Sequence, residues 1–363
     1  MAYSYYRSVT IDYSKCGTSN STDFPVLVSF TDLNFRTVAN GGRVQNASGY
    51  DIAFYSDSAR TTPLFWEIDQ YDASSGATGT CSFWVKIPTL SVTANTVIYV
   101  AYGDTSISSF QSTASSVWDT NYKGVYHNKT TVTTDSTINA FNLTNFGTTA
   151  LTSTSTAGGG VGANVADFGA TDLNRYLWYG TNMGNTTDVF SITGLGKLRT
   201  ELTATGTYDL AQWVNSTRKL SWEIQYNFNL GTRRFGVLIY NGVGTPSVYY
   251  NVTLGTTNWF HWGVTCDGTT AYIYLNGVQQ GSLTIPTTST YSGAGNNVQF
   301  GGNTSVNNYF GYLDECRYSN SQRSASWMTT EYNSYLFPST FFTLGTETPT
   351  TPTTSTSDFF QFF

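Results

Sequence analysis

The sequence predicts an all-β protein with two tandem antiparallel β-sandwich domains and an extended C-terminal tail. Its 363 residues exceed one typical domain and suit two, each large enough for its own core. Charged residues make up only 11% and aromatic residues 16%, whereas about a quarter of an average chain is charged. Short β-branched and aromatic runs separated by turn residues recur along the chain, as is typical of antiparallel sandwiches.

The first predicted domain covers residues 1–104. Its candidate strands are residues 6–13, 24–30, 50–55, 64–71, 81–87 and 96–102. Several of them alternate with period two, so that Phe83, Val85 and Ile87 point to one face and Trp84 and Lys86 to the other. A Ser/Thr-rich stretch at 105–116 is the predicted junction.

The second predicted domain covers residues 117–346. Candidate strands include residues 221–228, 235–240, 247–252, 260–266 and 271–275. Asp267-Gly268 and Asn276-Gly277 are predicted hairpin turns, because Asp-Gly and Asn-Gly supply the positive φ that such turns need. One short helix is predicted over 324–335, where apolar residues recur at helical spacing.

Two ordered motifs in this second domain resemble a known family. The run from Trp259 to Gly277, WFHWGVTCDGTTAYIYLNG, and the run from Phe310 to Tyr318, FGYLDECRY, resemble two signatures of laminin-G-like, concanavalin A-like jelly rolls. Cysteine stands at two positions where the family tends to have Tyr and Val. The resemblance implies a jelly-roll fold for residues 117–346.

The first hundred residues resemble a small β domain of unknown function that often precedes such modules. The matching pieces are residues 6–11, 24–28, 83–88 and 98–103. Chains of this two-part design are similar to proteins of tailed phages and of metagenomic viral sequences. The similarity implies a particle-associated protein, but fold alone does not decide function.

The resemblance also implies two kinds of ligand. Calcium is one, because Asp167, Asp172, Asp314 and Glu315 match family positions that are frequently acidic. No Asp-x-Asp-x-Asp-Gly loop is present to supply about six oxygens, and Asp314 could instead bond a turn, so calcium is left open and no other cofactor is expected.

Glycans are the other implied ligand. Exposed aromatic rings stack on sugars, and the densest aromatic run, which contains Trp178 and Tyr179, lies near a Gly-rich turn. The alternative is that these rings fill the sandwich core.

The run from Trp66 to Asp72 is the strongest catalytic candidate. Concanavalin-like glucanases carry paired acids in a similar pattern, and Glu67 and Asp69 would share a strand face, with Asp72 on the other face unless a bulge intervenes. Alternation with Trp66 and Ile68 indicates instead that apolar side chains point inward and acids outward. No catalytic residue is therefore predicted.

The two histidines and four cysteines of the chain are predicted to have structural roles. His127 and His261 lie beside aromatic residues in strands, without a nucleophile turn or zinc spacing, so hydrogen-bonded core or rim positions are expected. The cysteines are expected to be reduced and buried, since the N-terminus carries no secretion signal.

Charge and hydropathy exclude two classes of partner. The net charge is -6 and the sequence pI is about 4.8, so no basic field attracts nucleic acid. No run of about eighteen apolar residues is present to cross a membrane.

The C-terminal segment, residues 347–363, is predicted to be an anchor. A Pro/Thr linker precedes Phe359, Phe360, Phe362 and Phe363, and such apolar surface usually marks a contact site. The expected partner is a capsid or tail protein.

Together these features indicate a non-enzymatic structural or adhesive protein on the surface of a phage-like particle, either a capsid decoration or a head or tail fibre. It would display a lectin-like domain that binds cell-surface or mucus glycans weakly. A secreted bacterial carbohydrate-binding or adhesion module is the alternative, followed by a glycoside hydrolase. A homo-oligomer is left open.

Overall fold

The computed structural model of the protein describes residues 3–73, 78–129, 131–147, 151–155, 161–162, 164–169, 175–180, 183, 188–199, 206–215, 221–240, 245–285, 296–302 and 307–350. Strands dominate these residues and every pairing between them is antiparallel, apart from one isolated bridge. The all-β prediction is confirmed.

The described residues of the N-terminal region form six strands at the predicted places. They are β1 (Tyr5–Ile11), β2 (Ser21–Thr31), β3 (Ile52–Tyr55), β4 (Trp66–Asp72), β5 (Thr80–Leu90) and β6 (Thr96–Tyr102). Four short 3₁₀ helices, at Tyr13–Lys15, Leu33–Phe35, Val38–Asn40 and Ala114–Val117, lie in the connections.

The rest of the described chain holds the other strands and two helices. The strands of the second region are β7 (Tyr122–Tyr126), β8 (Thr144–Phe146), β9 (Thr152–Thr154), β10 (Val165–Asp167), β11 (Tyr176–Tyr179), β12 (Val189–Leu198), β13 (Gly206–Asn215), β14 (Ser221–Asn229), β15 (Thr232–Tyr240), β16 (Ser247–Asn251), β17 (Phe260–Asp267), β18 (Thr270–Leu275), β19 (Val278–Thr284), β20 (Asn296–Phe300) and β21 (Gly311–Ser319). Helices α1 (Ala325–Leu336) and α2 (Pro338–Phe341) follow, and then strands β22 (Phe342–Leu344) and β23 (Thr348–Pro349).

The N-terminal region is a sandwich of two sheets, and the end of the chain completes one of them. One sheet has the order β2-β5-β4 and the other β22-β1-β6-β3, with β23 also paired to β1. The sequence placed residues 342–346 in the second domain and 347–350 in a linker, whereas the structure pairs both short strands with β1. The physical reason is that β1 would otherwise leave a row of unpaired backbone groups on that side.

The described residues between 117 and 319 build a second, larger sandwich. One sheet has the order β19-β18-β17-β12-β21-β10-β9, with β7 on β21, and the facing sheet has the order β16-β15-β14-β13-β20-β11-β8. Aromatic side chains fill the space between them; Phe190 stacks on Trp222 at 5.0 Å between ring centroids. The Asn276-Gly277 turn is confirmed, with φ of 50° and 74°.

Helix α1 joins the two sandwiches. It begins at the predicted residue, since the Ser324 side chain accepts a hydrogen bond from the Trp327 amide at 3.1 Å. The Trp327 ring packs on Phe24 of β2 at 4.5 Å, and the Ser334 hydroxyl accepts a bond from the Leu27 amide. The sheet β2-β5-β4 is consequently buried on both faces, and one apolar cluster runs from the N-terminal region into α1 and the outer face of the larger sandwich.

The four cysteines, Cys16, Cys81, Cys266 and Cys316, are free and buried. Burial raises the pKa of the Cys16 and Cys266 thiols to about 12, so they are inert at neutral pH. No helix in the described part of the chain has the length and hydrophobicity of a transmembrane span.

Candidate functional site

Glu67 and Asp69 of β4 are buried, and the prediction that they face solvent is wrong. The Glu67 side chain is 8% exposed and that of Asp69 2%, because the larger sandwich covers this face of the sheet. Trp66 packs inward on Phe54, as predicted. The pairing of β4 with β5 shifts between Ile68 and Gln70, so Asp69 is the extra residue of a β-bulge.

The larger sandwich contributes its own buried charges opposite β4. His127 and Lys129 follow β7, and Asp314, Glu315 and Arg317 lie within β21. Glu315 has a φ of 51° beside a register shift against β12. A left-handed conformation is costly for a non-glycine residue and persists only where its surroundings demand it. At Glu315 this conformation accompanies a carboxylate that points into a cluster of buried charges.

Hydrogen bonds connect the two sets of charges. His127 Nδ1 lies 2.8 Å from both carboxylate oxygens of Glu315, and Arg317 Nη2 donates to Glu315 Oε2 at 2.6 Å. Lys129 Nζ donates to Glu67 Oε1 at 2.5 Å. The contact between Lys129 and Glu67 therefore ties the N-terminal sheet to the larger sandwich.

Aromatic rings enclose this buried charge cluster. The Arg317 guanidinium lies 4.3 Å from the ring centroids of Trp84 and Tyr335 and 4.9 Å from that of Trp118. Trp118 Nε1 donates to Glu67 Oε2 at 3.0 Å. Charges in such surroundings interact strongly because little water screens them.

The environment moves the pKa values of the cluster in opposite directions. Burial and the nearby Glu315 charge raise the pKa of Asp69 to about 7. Burial opposes the charged form of His127, yet Glu315 and Glu67 raise its pKa to about 9. Burial also opposes ionisation of Glu67, but Lys129 and His127 hold the pKa of Glu67 below its ordinary value. At neutral pH Glu67 and His127 are therefore charged.

The second histidine belongs to a neighbouring pair. His261 Nε2 lies 3.1 Å from Glu331 Oε2, and Trp327 Nε1 donates to Glu331 Oε1 at 2.9 Å. His127 and His261 are both 1% exposed. The prediction that both histidines are hydrogen-bonded within the fold is confirmed.

The predicted calcium residues are not brought together as a set. Asp167 pairs with Arg199 at 2.6 Å, and Asp172 lies outside the described residues. Asp314 accepts bonds from the Val161 and Glu315 amides. The described residues do contain a cluster of three potential metal ligands, Asp69, His127 and Glu315. Their ligand atoms all lie within 4.8 Å of one another.

A cleft of about 760 Å³ opens between the N-terminal sheet, the larger sandwich and α1. We call it the central cleft. Its lining is Leu27, Ser29, Gln70, Thr80, Ser82, Val161, Gly162, Asn258, Trp259, Asn276, Tyr332, Tyr335, Leu336, Phe337 and Pro338. Aromatic rings, amides and hydroxyls make up most of this lining, and the set contains no charged residue.

The aromatic side of the central cleft is accessible. Phe337 is 45% exposed, and its ring meets that of Tyr332 edge to face at 5.3 Å. Trp259 is half-buried at the start of β17. On the N-terminal sheet, Ser29 and Ser82 share a hydrogen bond of 2.8 Å. Aromatic rings and polar groups thus line one cleft, as in many small-molecule sites.

The central cleft and the buried charge cluster are neighbours. A Cβ atom on Gly162, in the cleft wall, would lie 1.8 Å from Asp69 Oδ2. The Asp69 carboxylate is therefore directly behind that wall. Sequence reasoning named Asp69 but not the cleft, whose lining comes from segments far apart in the chain.

The other predicted site residues lie elsewhere. Trp178 and Tyr179 are half-buried on β11, in the sheet farther from the N-terminal region, and Tyr179 packs on Phe141 at 4.9 Å. They do not belong to the lining of the central cleft. The predicted anchor residues, Phe359, Phe360, Phe362 and Phe363, lie outside the described residues.

Comparison with known families identifies part of the larger sandwich. Residues 199–328 match a laminin G family model, described as the Concanavalin A-like lectin/glucanases superfamily. This part of the chain is a concanavalin A-like, lectin-like jelly roll, which confirms the resemblance seen in the two motifs. The match does not extend to the N-terminal region. Among curated proteins, no sequence matches the chain.

Parts of the chain are similar to several solved structures at low sequence identity. Domain 4 of AbnA, a GH43 extracellular arabinanase from Geobacillus stearothermophilus in complex with arabinotriose, is 17% identical, with 58% of this chain and 97% of that chain covered and a TM-score of 0.45. The SAP-like pentraxin of Limulus polyphemus is 13% identical, with 50% and 92% covered and a TM-score of 0.38. A botulinum neurotoxin type C structure is 13% identical, with 59% and 51% covered and a TM-score of 0.46.

Proposed function

We propose that the protein is a non-enzymatic adhesin that binds neutral glycans in the central cleft and is displayed on a phage-like particle. The observation that carries the glycan-binding part is the lining of the cleft, which combines aromatic rings with amides and hydroxyls. Sugars present apolar C–H faces and hydroxyl edges, so both kinds of group find partners there.

The absence of charge in the described lining favours neutral sugars. Sialylated or sulfated glycans would need a cation, and none of the lining residues is Lys, Arg or His. The protein as a whole carries a net charge of -6, which repels polyanions at long range. Neutral hexose or pentose chains match these surroundings.

Buried acids support binding without hydrolysis. Retaining glycosidases need two carboxyl groups about 5 Å apart on either side of the scissile bond. Both oxygens of Glu67 accept hydrogen bonds, from Lys129 and Trp118, and both oxygens of Glu315 contact His127. Neither group is free to act as a nucleophile. Reducing ends released by wild type but not by Glu67→Gln would refute this part.

The glycan-binding test measures how aromatic side chains of the central cleft contribute to affinity. An array of neutral and anionic glycans identifies the strongest neutral oligosaccharide, whose affinity is then measured by calorimetry. Trp259→Ala and Phe337→Ala should each weaken binding about 10- to 100-fold, since burying such a side chain is worth roughly 1.5–3 kcal/mol.

Trp178→Ala is the matched control, and it should leave the affinity unchanged. Circular dichroism and melting temperature show whether each variant is folded. Loss of binding in Trp178→Ala but not in Trp259→Ala would move the site to β11. An array on which only anionic glycans bind would contradict the neutral cleft.

Particle display rests on the composition and on the resemblance to phage proteins, with the C-terminal peptide as the anchor. The described chain ends beside β1, where the Thr350 amide donates to the Ser4 carbonyl at 2.8 Å. Glu347 accepts a bond from the Tyr102 hydroxyl, so a truncation that leaves the fold intact must follow Thr350.

Removal of residues 351–363 should leave a folded, glycan-binding protein that no longer copurifies with its particle. Normal occupancy of the truncated protein on the particle would show that the anchor lies on the sandwiches. Glycan binding by a full-length protein that never associates with a particle would favour a secreted adhesion module.

A further inference from the structure

Three side chains from separate elements form a compact group of potential metal ligands at the junction of the two sandwiches. Asp69 comes from β4, His127 follows β7 and Glu315 lies in β21. They offer one imidazole nitrogen and two carboxylate oxygens within 4.8 Å of one another. Their side chains are 2%, 1% and 0% exposed. Such a group is preorganised by three strands and shielded from water.

Two polar atoms in this group have no hydrogen-bond partner. They are Asp69 Oδ2 and His127 Nε2, both fully buried. Lys129 Nζ, 4.0 Å from Asp69 Oδ1, is already engaged by Glu67 and by the Ile68 carbonyl. A buried carboxylate oxygen without a partner is costly, and an ion held between Asp69 Oδ2, His127 Nδ1 and Glu315 would satisfy it, whereas His127 Nε2 lies 3.6 Å from Glu67 Oε2.

Charged groups of both signs surround the three candidate ligands. Glu67, Asp69, Asp314 and Glu315 are four buried carboxyl groups. Lys129 and Arg317 are the side chains that bring permanent positive charge to them.

We propose that Asp69, His127 and Glu315 bind one transition-metal dication of the Zn²⁺ class. A nitrogen ligand with two carboxylates suits Zn²⁺ and Co²⁺, whereas Ca²⁺ and Mg²⁺ prefer sets made of oxygen alone. The site shares Glu315 with the calcium residues expected from the sequence but not Asp167. A metal here would link the N-terminal sheet to the jelly roll, next to the wall of the central cleft at Gly162.

The first test uses the full chain and the metals themselves. Protein dialysed against chelator is titrated with Zn²⁺, Co²⁺, Ca²⁺ or Mg²⁺, and bound metal and melting temperature are measured. One equivalent of Zn²⁺ should bind and raise the melting temperature by several degrees, and Co²⁺ should give a visible absorption spectrum that shows nitrogen ligation. Ca²⁺ and Mg²⁺ should have no effect. Wild type that binds no equivalent of Zn²⁺ would overturn the proposal and leave water as the partner of the two atoms.

The second test locates the site. Asp69→Asn should weaken Zn²⁺ binding at least 100-fold, whereas Asp72→Asn, an exposed position on the same strand, should not change it. Equal Zn²⁺ affinity in the two variants would overturn the assignment. Should Asp69→Asn fail to fold, the Co²⁺ spectra of wild type and His127→Gln are compared instead. A Co²⁺ spectrum that is the same in His127→Gln as in wild type would also overturn the assignment of the site.

Discussion

Replacement of Arg317 by methionine should lower the stability of the protein more than any surface ion-pair mutation. The guanidinium is 1% exposed, donates to Glu315 at 2.6 Å and lies 3.8 Å from Glu331. Methionine keeps much of the length of the side chain but leaves both carboxylates without this partner. Removing one member of a buried ion pair costs about 3–5 kcal/mol, because the remaining charge stays buried.

The expected shift in melting temperature follows from the size of the folded unit. Unfolding entropy is about 2.1 cal/mol/K per residue, so 363 residues unfolding together correspond to roughly 0.8 kcal/mol per degree. A loss of about 3–5 kcal/mol then lowers the melting temperature by about 4–7 °C. Calorimetry and urea unfolding, followed by tryptophan fluorescence and by circular dichroism, measure both quantities.

Controls separate the buried ion pair from a general loss of charge. Arg199→Met removes a pair whose side chains are 35% and 21% exposed and should cost less than about 1 kcal/mol. The double variant Arg317→Met, Glu315→Gln should be less destabilised than the sum of the two single variants. A cost below about 1 kcal/mol for Arg317→Met would refute the reasoning about uncompensated burial. Separate transitions for the two sandwiches would refute their common core.

Two further predictions concern acid stability and the joining helix. Burial opposes ionisation of Asp119, but its bonds with Arg323 hold its pKa below the ordinary 3.8. This pair therefore stabilises the fold above about pH 4 and loses that effect as the pH falls further. Asp119→Asn should flatten this part of an acid unfolding curve, whereas a curve identical to wild type would contradict the linkage. Ser324→Ala removes the N-cap of α1 and should cost about 1 kcal/mol in urea unfolding, and an unchanged midpoint would show that tertiary packing alone sets the start of the helix.

Local sequence patterns predicted most of the strands, the hairpin turns and α1. Period-two alternation and Asn-Gly or Asp-Gly pairs depend on neighbouring residues only, so they are visible in the sequence. The same alternation misassigned Glu67 and Asp69, because it assumes one solvated face. The continuous apolar run Phe83-Trp84-Val85 in the adjacent strand was the available signal that both faces of this sheet are covered.

Long-range pairings could not be predicted from the sequence. His127 and Glu315 are 188 positions apart, and their meeting depends on how β7 pairs with β21 and on the bulge at Glu315. The pairing of β22 with β1 joins opposite ends of the chain. The central cleft likewise exists only once α1 has packed between the two sandwiches, so Trp259 and Gln70 carry no local sign of a shared site.

A crystal structure of the protein with the strongest-binding neutral oligosaccharide provides the decisive measurement. We expect a sugar ring against Trp259 or Phe337, with hydrogen bonds from Asn276 on the jelly roll and from Gln70 or Ser82 on the N-terminal sheet. Contacts from both sandwiches to one glycan would support the function proposed for the central cleft. A sugar bound on β11 at Trp178, with no contact to the N-terminal region, would contradict it.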